Sequence, residues 1–238
     1  MDNIPTEENV GRILVLEDDF LIQTIVRKAL ESAGFMVETA VHVEEAFQII
    51  EKSGFPHLAI VDIMLPHGTN GLNFCGAIHE FTDLPVIILS AITNSNVVIQ
   101  AIEQHAEDYI RKPFDPSELV ARVRRVLKRI GDFAYTLEPV TEIDERLRVD
   151  FHKKRIHIED KGISLTPTET KLLYILMRDA GKTVKTPYIL QRMWPRERAF
   201  EDRLRVCVYR LRHKLGKNPA NELYIQSQRG VGYRFYGG

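Results

Sequence analysis

The chain is poor in cysteine: two in 238 residues, Cys75 and Cys207, with no CxxC pair. So few thiols exclude a disulfide framework and a cysteine-held structural zinc, and they suit a reducing, cytoplasmic setting. Long apolar runs are also missing. The longest, such as 85-PVIILSAI-92, fall far short of a bilayer span, so no membrane role is expected. The opening residues, MDNIPTEENV, are acidic and hold no apolar signal core, which argues against secretion. What is present, 44% hydrophobic and 27% charged residues, is ordinary globular composition and leaves no case for disorder, collagen or coiled coil.

The net charge of −1 hides a division. Residues 1–131 hold 11 Lys and Arg against 19 Asp and Glu, a net of −8, whereas residues 132–238 hold 21 against 14, a net of +7. An acidic half joined to a basic half suggests two domains with different partners, the second suited to a polyanion.

The first half alternates apolar runs with amphipathic segments. The runs are 12-RILVL-16, 36-MVETA-40, 58-LAIVD-62, 86-VIILS-90 and 107-EDYI-110. Three are apolar nearly throughout, as strands buried on both faces of a parallel sheet must be. Residues 20–33, 43–52 and 115–130 space their apolar side chains as helices do. This predicts an α/β domain, a doubly wound (βα)5 sheet, over 1–131. Residues 132–145 lose the periodicity and read as a linker. From 146 to 238 short β-like pieces at about 146–150, 155–158 and 162–165 precede three helices and a terminal hairpin. Thr166, Pro167 and Glu169 spell a capping box with proline at the first helical position, and Thr186-Pro187 predicts a second start of the same kind. Three helices with a hairpin describe an α+β winged helix-turn-helix.

Two clusters carry chemistry. Glu17, Asp18 and Asp19 follow the first strand, Asp62 ends the third, Ser90 ends the fourth and Lys112 follows the fifth. In an open α/β sheet ligands bind beyond the carboxyl ends of the strands. Carboxylates gathered there repel one another unless a cation neutralises them, and oxygen donors that retain water suit Mg²⁺. The inventory fits phosphoryl transfer to a carboxylate. Taken singly, Asp18 or Asp19 passes for a helix cap and Lys112 for a surface charge; the whole set at strand ends does not. In the basic half, 201-EDRLRVCVYRLRHKLG-216 repeats Leu204, Val208, Leu211 and Leu215 as one buried stripe, with arginines beside the opposite face. Arginine can read guanine edges and an apolar side chain a thymine methyl. In 227-SQRGVGYRF-235, Gly230 and Gly232 allow a tight wing tip beside Arg229.

With 13-ILVLEDD-19, 61-VDIMLP-66, 89-LSA-91 and 108-DYIRKPF-114, residues 12–131 resemble a receiver domain, and the whole chain resembles the OmpR/PhoB-type two-component response regulators. The resemblance implies a cytoplasmic transcription regulator, not an enzyme. Asp62 would accept a phosphoryl group from a sensor histidine kinase. Glu17, Asp18, Asp62 and the backbone carbonyl of Met64 would hold Mg²⁺, Ser90 and Lys112 would bind phosphoryl oxygens, and Tyr109 would be the aromatic switch. A cis Lys112-Pro113 bond is expected. Toward double-stranded DNA, Arg205, Val206, Tyr209 and Arg210 would face bases, while Arg203, Arg212, Arg229 and Tyr233 would position the duplex. RNA polymerase is a further partner of such a regulator.

Departures from the family pattern are the loop 67-HGTNG-71, one residue longer than usual, His105 in place of glycine, and Ile92 two places after Ser90. On the helix over 115–130, Glu118, Arg122, Arg125 and Arg129 form an exposed stripe near Glu107 and Asp108. In the family such residues make a two-fold receiver interface, so a homodimer is expected. It should be more apolar than usual, because Val97, Val98 and Ile99 stand where a basic partner is common. The competing classes are a Mg²⁺-dependent aspartyl-phosphate phosphatase, which Met64 lacks the acid–base chemistry to support, and an interaction-only module.

Overall fold

A computed structural model describes residues 11–65, 70–92, 99, 106–130, 138–159, 161–195, 199–216 and 224–236. The first unit runs β1 (Arg12–Leu16), α1 (Phe20–Ser32), β2 (Met36–Ala40), α2 (Val43–Ser53), β3 (Leu58–Val61), α3 (Gly71–His79), β4 (Val86–Ser90), β5 (Asp108–Arg111) and α4 (Pro116–Ile130). Its strands are parallel in the order β2-β1-β3-β4-β5. The alternation in β1 shows why the sheet is covered on both faces. Ile13 and Val15 pack with Val26 and Leu30 of α1 and with Leu119, Val123 and Val126 of α4. Leu14 and Leu16 pack on the other face with Ala46 and Ile50 of α2 and Phe74 and Ile78 of α3. All four β1 side chains are fully buried, so the strand reads as a continuous apolar run.

The second unit begins with a four-stranded antiparallel sheet, β6 (Thr141–Glu142), β7 (Leu147–Asp150), β8 (Arg155–Ile158) and β9 (Lys161–Ser164), paired in sequence order. It continues with α5 (Pro167–Arg178), β10 (Thr183–Lys185), α6 (Thr186–Met193), α7 (Glu201–Leu215), β11 (Ile225–Gln228) and β12 (Gly232–Phe235). The capping box at Thr166 and Glu169 is formed from both sides. The hairpin gains a third strand, in the order β10-β12-β11. Gly232 lies under β10, where a Cβ would stand 1.9 Å from the Val184 carbonyl oxygen, so glycine serves a close approach there; Gly230, at φ 74°, makes the turn.

Three local readings differ from the sequence. Thr141–Glu142, within the aperiodic 132–145 stretch, pairs with β7. β10 has only three residues, too few to show a period. Thr186 does not cap α6: its amide donates to the Val231 carbonyl at 3.0 Å, so the chain passes from strand to helix with Lys185 at the cap and no side-chain bond. His105, Val97 and Val98 lie outside the described residues, as do residue 131 and residues 132–137 of the linker; Ile99 is half exposed. Among the described residues no helix is long and apolar enough to cross a membrane.

Candidate functional site

The strand order reverses between β1 and β3, and a crevice opens beyond their carboxyl ends. Glu17 and Asp18 leave β1 into it and Asp62 leaves β3. Carboxylate oxygens of all three lie within 4.8 Å of one another. Glu17 and Asp62 are buried and Asp18 is exposed. Lys112, following β5, brings its Nζ to 2.6 Å from Glu17 and 2.6 Å from Asp62. Burial raises the Glu17 pKa from its ordinary value, against the pull of Lys112. Burial works against the Lys112 charge, but bonds to Asp62 and Glu17 outweigh it and raise its pKa. The Lys112-Pro113 bond is cis.

The rest of the crevice is tied by short-range bonds. Asp62 Oδ1 accepts from the Met64 amide at 3.0 Å, and the Met64 side chain is exposed. Ser90 is buried at the end of β4, its Oγ accepting weakly from the Ile92 amide at 3.4 Å. The Tyr109 hydroxyl donates to the Ile92 carbonyl at 2.9 Å, which links β5 to the segment after Ser90. Asp19, the third acid of the run, caps α1 by accepting from the Leu21 and Ile22 amides.

Two residues that sequence reasoning missed hold this crevice. Gln23 is buried on α1 and donates from Nε2 to the Glu17 carbonyl at 3.0 Å, fixing the acidic loop from behind. Its signal was an amide between the inward-facing Ile22 and Val26. Gly71 opens α3 against Asp62: a Cβ there would stand 1.9 Å from the Asp62 carbonyl oxygen. Nothing local marks that contact.

The second site is a groove of about 730 Å³ between α7 and the β11–β12 wing. Arg205, Val206, Tyr209, Arg212, Arg229 and Tyr233 line it. Leu204, Val208, Leu211 and Leu215 bury the opposite side of α7. Arg212 bolts helix to wing, donating to the Ile225 carbonyl and the Ser227 hydroxyl, each at 2.9 Å. Arg205 pairs along its own helix with Glu201 and Asp202, each at 3.2 Å. Arg203 and Arg210 turn to a second hollow, beside Thr168 at the start of α5. There the Arg203 guanidinium lies 4.4 Å from the centre of the buried Trp194 ring.

On α4 the charged stripe pairs within the chain. Arg122 reaches Glu118 at 2.7 Å and Asp108 at 3.1 Å, Arg125 reaches Asp108 at 2.8 Å, and Arg129 bonds Glu107.

Comparison with known families decides what this pairing of sites belongs to. The family described as response regulator receiver domain matches residues 13–124, and that described as transcriptional regulatory protein, C terminal, matches residues 160–235. The chain belongs to the OmpR/PhoB-type response regulators. It is 34% identical to a probable transcriptional regulator, ycf27, of Cyanophora paradoxa, over 96% of this chain and 98% of that one. It is 33% identical to the DNA-binding response regulator MtrA of Mycobacterium leprae, over 94% and 97%. A solved relative, the Thermotoga maritima OmpR/PhoB homolog DrrB, is 28% identical over 96% of this chain and all of that one, with a TM-score of 0.46. As an OmpR/PhoB-type regulator the chain couples a receiver, β1 through α4, to a winged-helix transcriptional regulatory domain.

Proposed function

We propose that Asp62 is the phosphoacceptor and that its phosphorylation by a sensor histidine kinase controls dimerisation and binding to double-stranded DNA. The observation that carries this reading is the crevice itself: three carboxylates and one ammonium within bonding reach at the ends of β1, β3 and β5. The donors are hard oxygens with one exposed carboxylate, Asp18, which fits Mg²⁺ and its retained water. Glu17, Asp18, Asp62 and the Met64 carbonyl would hold the ion, which supplies neutralisation of the phosphoryl oxygens when bound. An Asp62 carboxylate oxygen attacks phosphorus as the bond to the donor nitrogen breaks. Lys112 and the Ser90 hydroxyl bind the transferred oxygens.

At the other site, Val206 and Tyr209 stand exposed beside Arg205 and Arg229, a surface suited to base edges and thymine methyls. Arg203 and Arg210 flank it as phosphate or base contacts. Such a regulator works in the cytoplasm and meets RNA polymerase at the promoters it controls. Residues Glu107, Asp108, Glu118, Arg122 and Arg129 would exchange their internal ion pairs for reciprocal ones across a receiver dimer.

Labelling with acetyl phosphate and Mg²⁺, followed by duplex titration at several salt concentrations, tests the reading. Wild type should take up an acid-stable, base-labile phosphate and bind duplex more tightly with it, with a steep salt slope. Asp62→Asn should do neither. Labelling of Asp62→Asn at the wild-type rate would overturn the assignment.

A further inference from the structure

Glu201 is an acid on a face suited to a polyanion. It is the first residue of α7 and lines the groove between that helix and the wing, with Arg205 one turn further on. The Arg205 guanidinium donates from one Nη to Glu201 and from the other to Asp202, each at 3.2 Å. All three side chains are exposed, and exposed pairs of this kind add little to stability. The other arginines of α7 are placed differently. Arg203 and Arg210 line the hollow beside Thr168, and Arg212 is bonded to Ile225 and Ser227 of β11.

We propose that Glu201 and Arg205 together read one G·C base pair in the major groove: Arg205 bonds guanine O6 and N7, and Glu201 accepts from the N4 amino group of the paired cytosine. A carboxylate is repelled by phosphate, so what Glu201 can bond on DNA is a base amino group, cytosine N4 or adenine N6. The ion pair sets N–H donors directly beside a carboxylate acceptor. A G·C edge offers the complement in the same order, two acceptors on guanine and then the cytosine donor. An A·T edge puts its donor in the middle, adenine N6 between adenine N7 and thymine O4. There a bidentate arginine meets a donor and the carboxylate meets an acceptor. Pairing with each other does not exhaust either group, since the guanidinium has further N–H donors and the carboxylate further lone pairs. Asp202, the most exposed of the three, holds the other Nη, so the guanidinium is fixed at two points before a duplex arrives. That lowers the ordering cost of binding.

The acid also works by exclusion. On any other base pair Arg205 is drawn to a different partner, and Glu201 and Asp202 are left facing the duplex uncompensated. Their repulsion then falls on wrong sites and spares the right one. Glu201 thus lowers affinity for DNA in general and raises selectivity. The inference rests on reading the α7–wing groove as the DNA face, and adds which base pair is read there.

The test uses the full chain with acetyl phosphate and Mg²⁺. A site selected from a random duplex pool is altered one base pair at a time, and each duplex is titrated at fixed salt. Wild type should prefer G·C at one pair by about tenfold or more. Arg205→Ala and Glu201→Ala should both flatten the preference at that same pair and spare the others. On a scrambled duplex they should part: Arg205→Ala should bind several-fold more weakly and Glu201→Ala several-fold more tightly. At the chosen pair, 7-deazaguanine, which lacks the N7 acceptor, should weaken wild type several-fold, and so should N4-methylcytosine. Each analogue should matter little to the variant that lacks its reader. The G·C assignment is overturned if the two variants relax different pairs or if wild type tolerates both analogues. It is equally overturned if Glu201→Ala shifts all duplexes alike, as the loss of a mere helix-end charge would. Arg229→Ala and Tyr209→Ala probe the underlying reading. If neither weakens any duplex, the groove is not the DNA face and both readings fall; if they weaken binding, a failure belongs to the G·C assignment alone.

Discussion

Lys112 bridges Glu17 and Asp62, its ammonium 2.6 Å from a carboxylate oxygen of each. A metal ion held by these acids would therefore draw on the same two anions as the lysine. Lys112→Met should bind Mg²⁺ several-fold more tightly by isothermal titration, because no internal cation competes. The same variant should label with acetyl phosphate at least about tenfold more slowly, since one cation no longer faces the transferring group. Unchanged Mg²⁺ affinity would show that the ion does not share these carboxylates.

Gly71 lies in close contact with the Asp62 backbone. A Cβ at that position would overlap the Asp62 carbonyl oxygen and press on Val61 Cγ1 at 2.7 Å, and backbone on one side cannot yield. Gly71→Ala should lower stability by more than about 2 kcal/mol in urea unfolding and suppress labelling of Asp62 in the fraction that folds. Wild-type labelling in this variant would show that the start of α3 can retreat freely.

His79 sets a pH limit on stability. Burial pushes its pKa down to about 4, with its ring bonded to the Leu84 carbonyl at 2.7 Å and cationic Lys171 and Arg192 nearby. The unfolded chain titrates near the ordinary histidine value of about 6.5. Between these values the unfolded state binds the additional proton, so stability should fall as pH falls from about 6.5 to about 4, and stay level in this respect above. His57, also lowered by burial and by Arg12, adds to the slope. Urea midpoints across that range should show it, and His79→Gln should flatten part of it.

Arg212 and Arg210 should fail differently. Arg212 joins α7 to β11, so Arg212→Ala should weaken all duplexes alike and loosen the wing, seen as faster amide exchange at Ile225 and Ser227. Arg210→Ala leaves that joint whole. It should cost about 1–3 kcal/mol on a preferred site and relax selectivity at one base pair. Equal losses on specific and scrambled duplexes would make Arg210 a phosphate contact.

The receiver dimer tests the α4 stripe. Arg122 and Asp108 pair within one chain, so a dimer formed through this stripe would exchange that bond. In the phosphorylated chain, Arg122→Glu or Asp108→Arg should each shift sedimentation toward monomer. Dimers that survive both reversals would place the interface elsewhere.

Most of the crevice could be read in the sequence because its parts sit at strand ends, and β1, β3 and β4 announce themselves as bounded apolar runs. The capping box at Thr166 was legible because its three residues act on one another locally. β6 and β10 were not, since two or three residues cannot show a period. Gln23 and Gly71 matter only through what folds against them. The ion pair that joins receiver to winged helix was hidden for the same reason. Asp83 in 82-TDLP-85 looks like a turn residue and Arg178 like the basic end of a helix, until the two meet 95 positions apart.

The start of α1 has one more consequence. Asp19 gives its carboxylate to the amides of Leu21 and Ile22, which takes one of three successive acids out of the crevice. What remains facing inward is Glu17, Asp18 and Asp62 against Lys112, an excess of two negative charges. A divalent ion brings that count to zero, a monovalent one leaves it short, and a trivalent one overshoots. The valence to which the crevice is matched is thus set by where a helix begins.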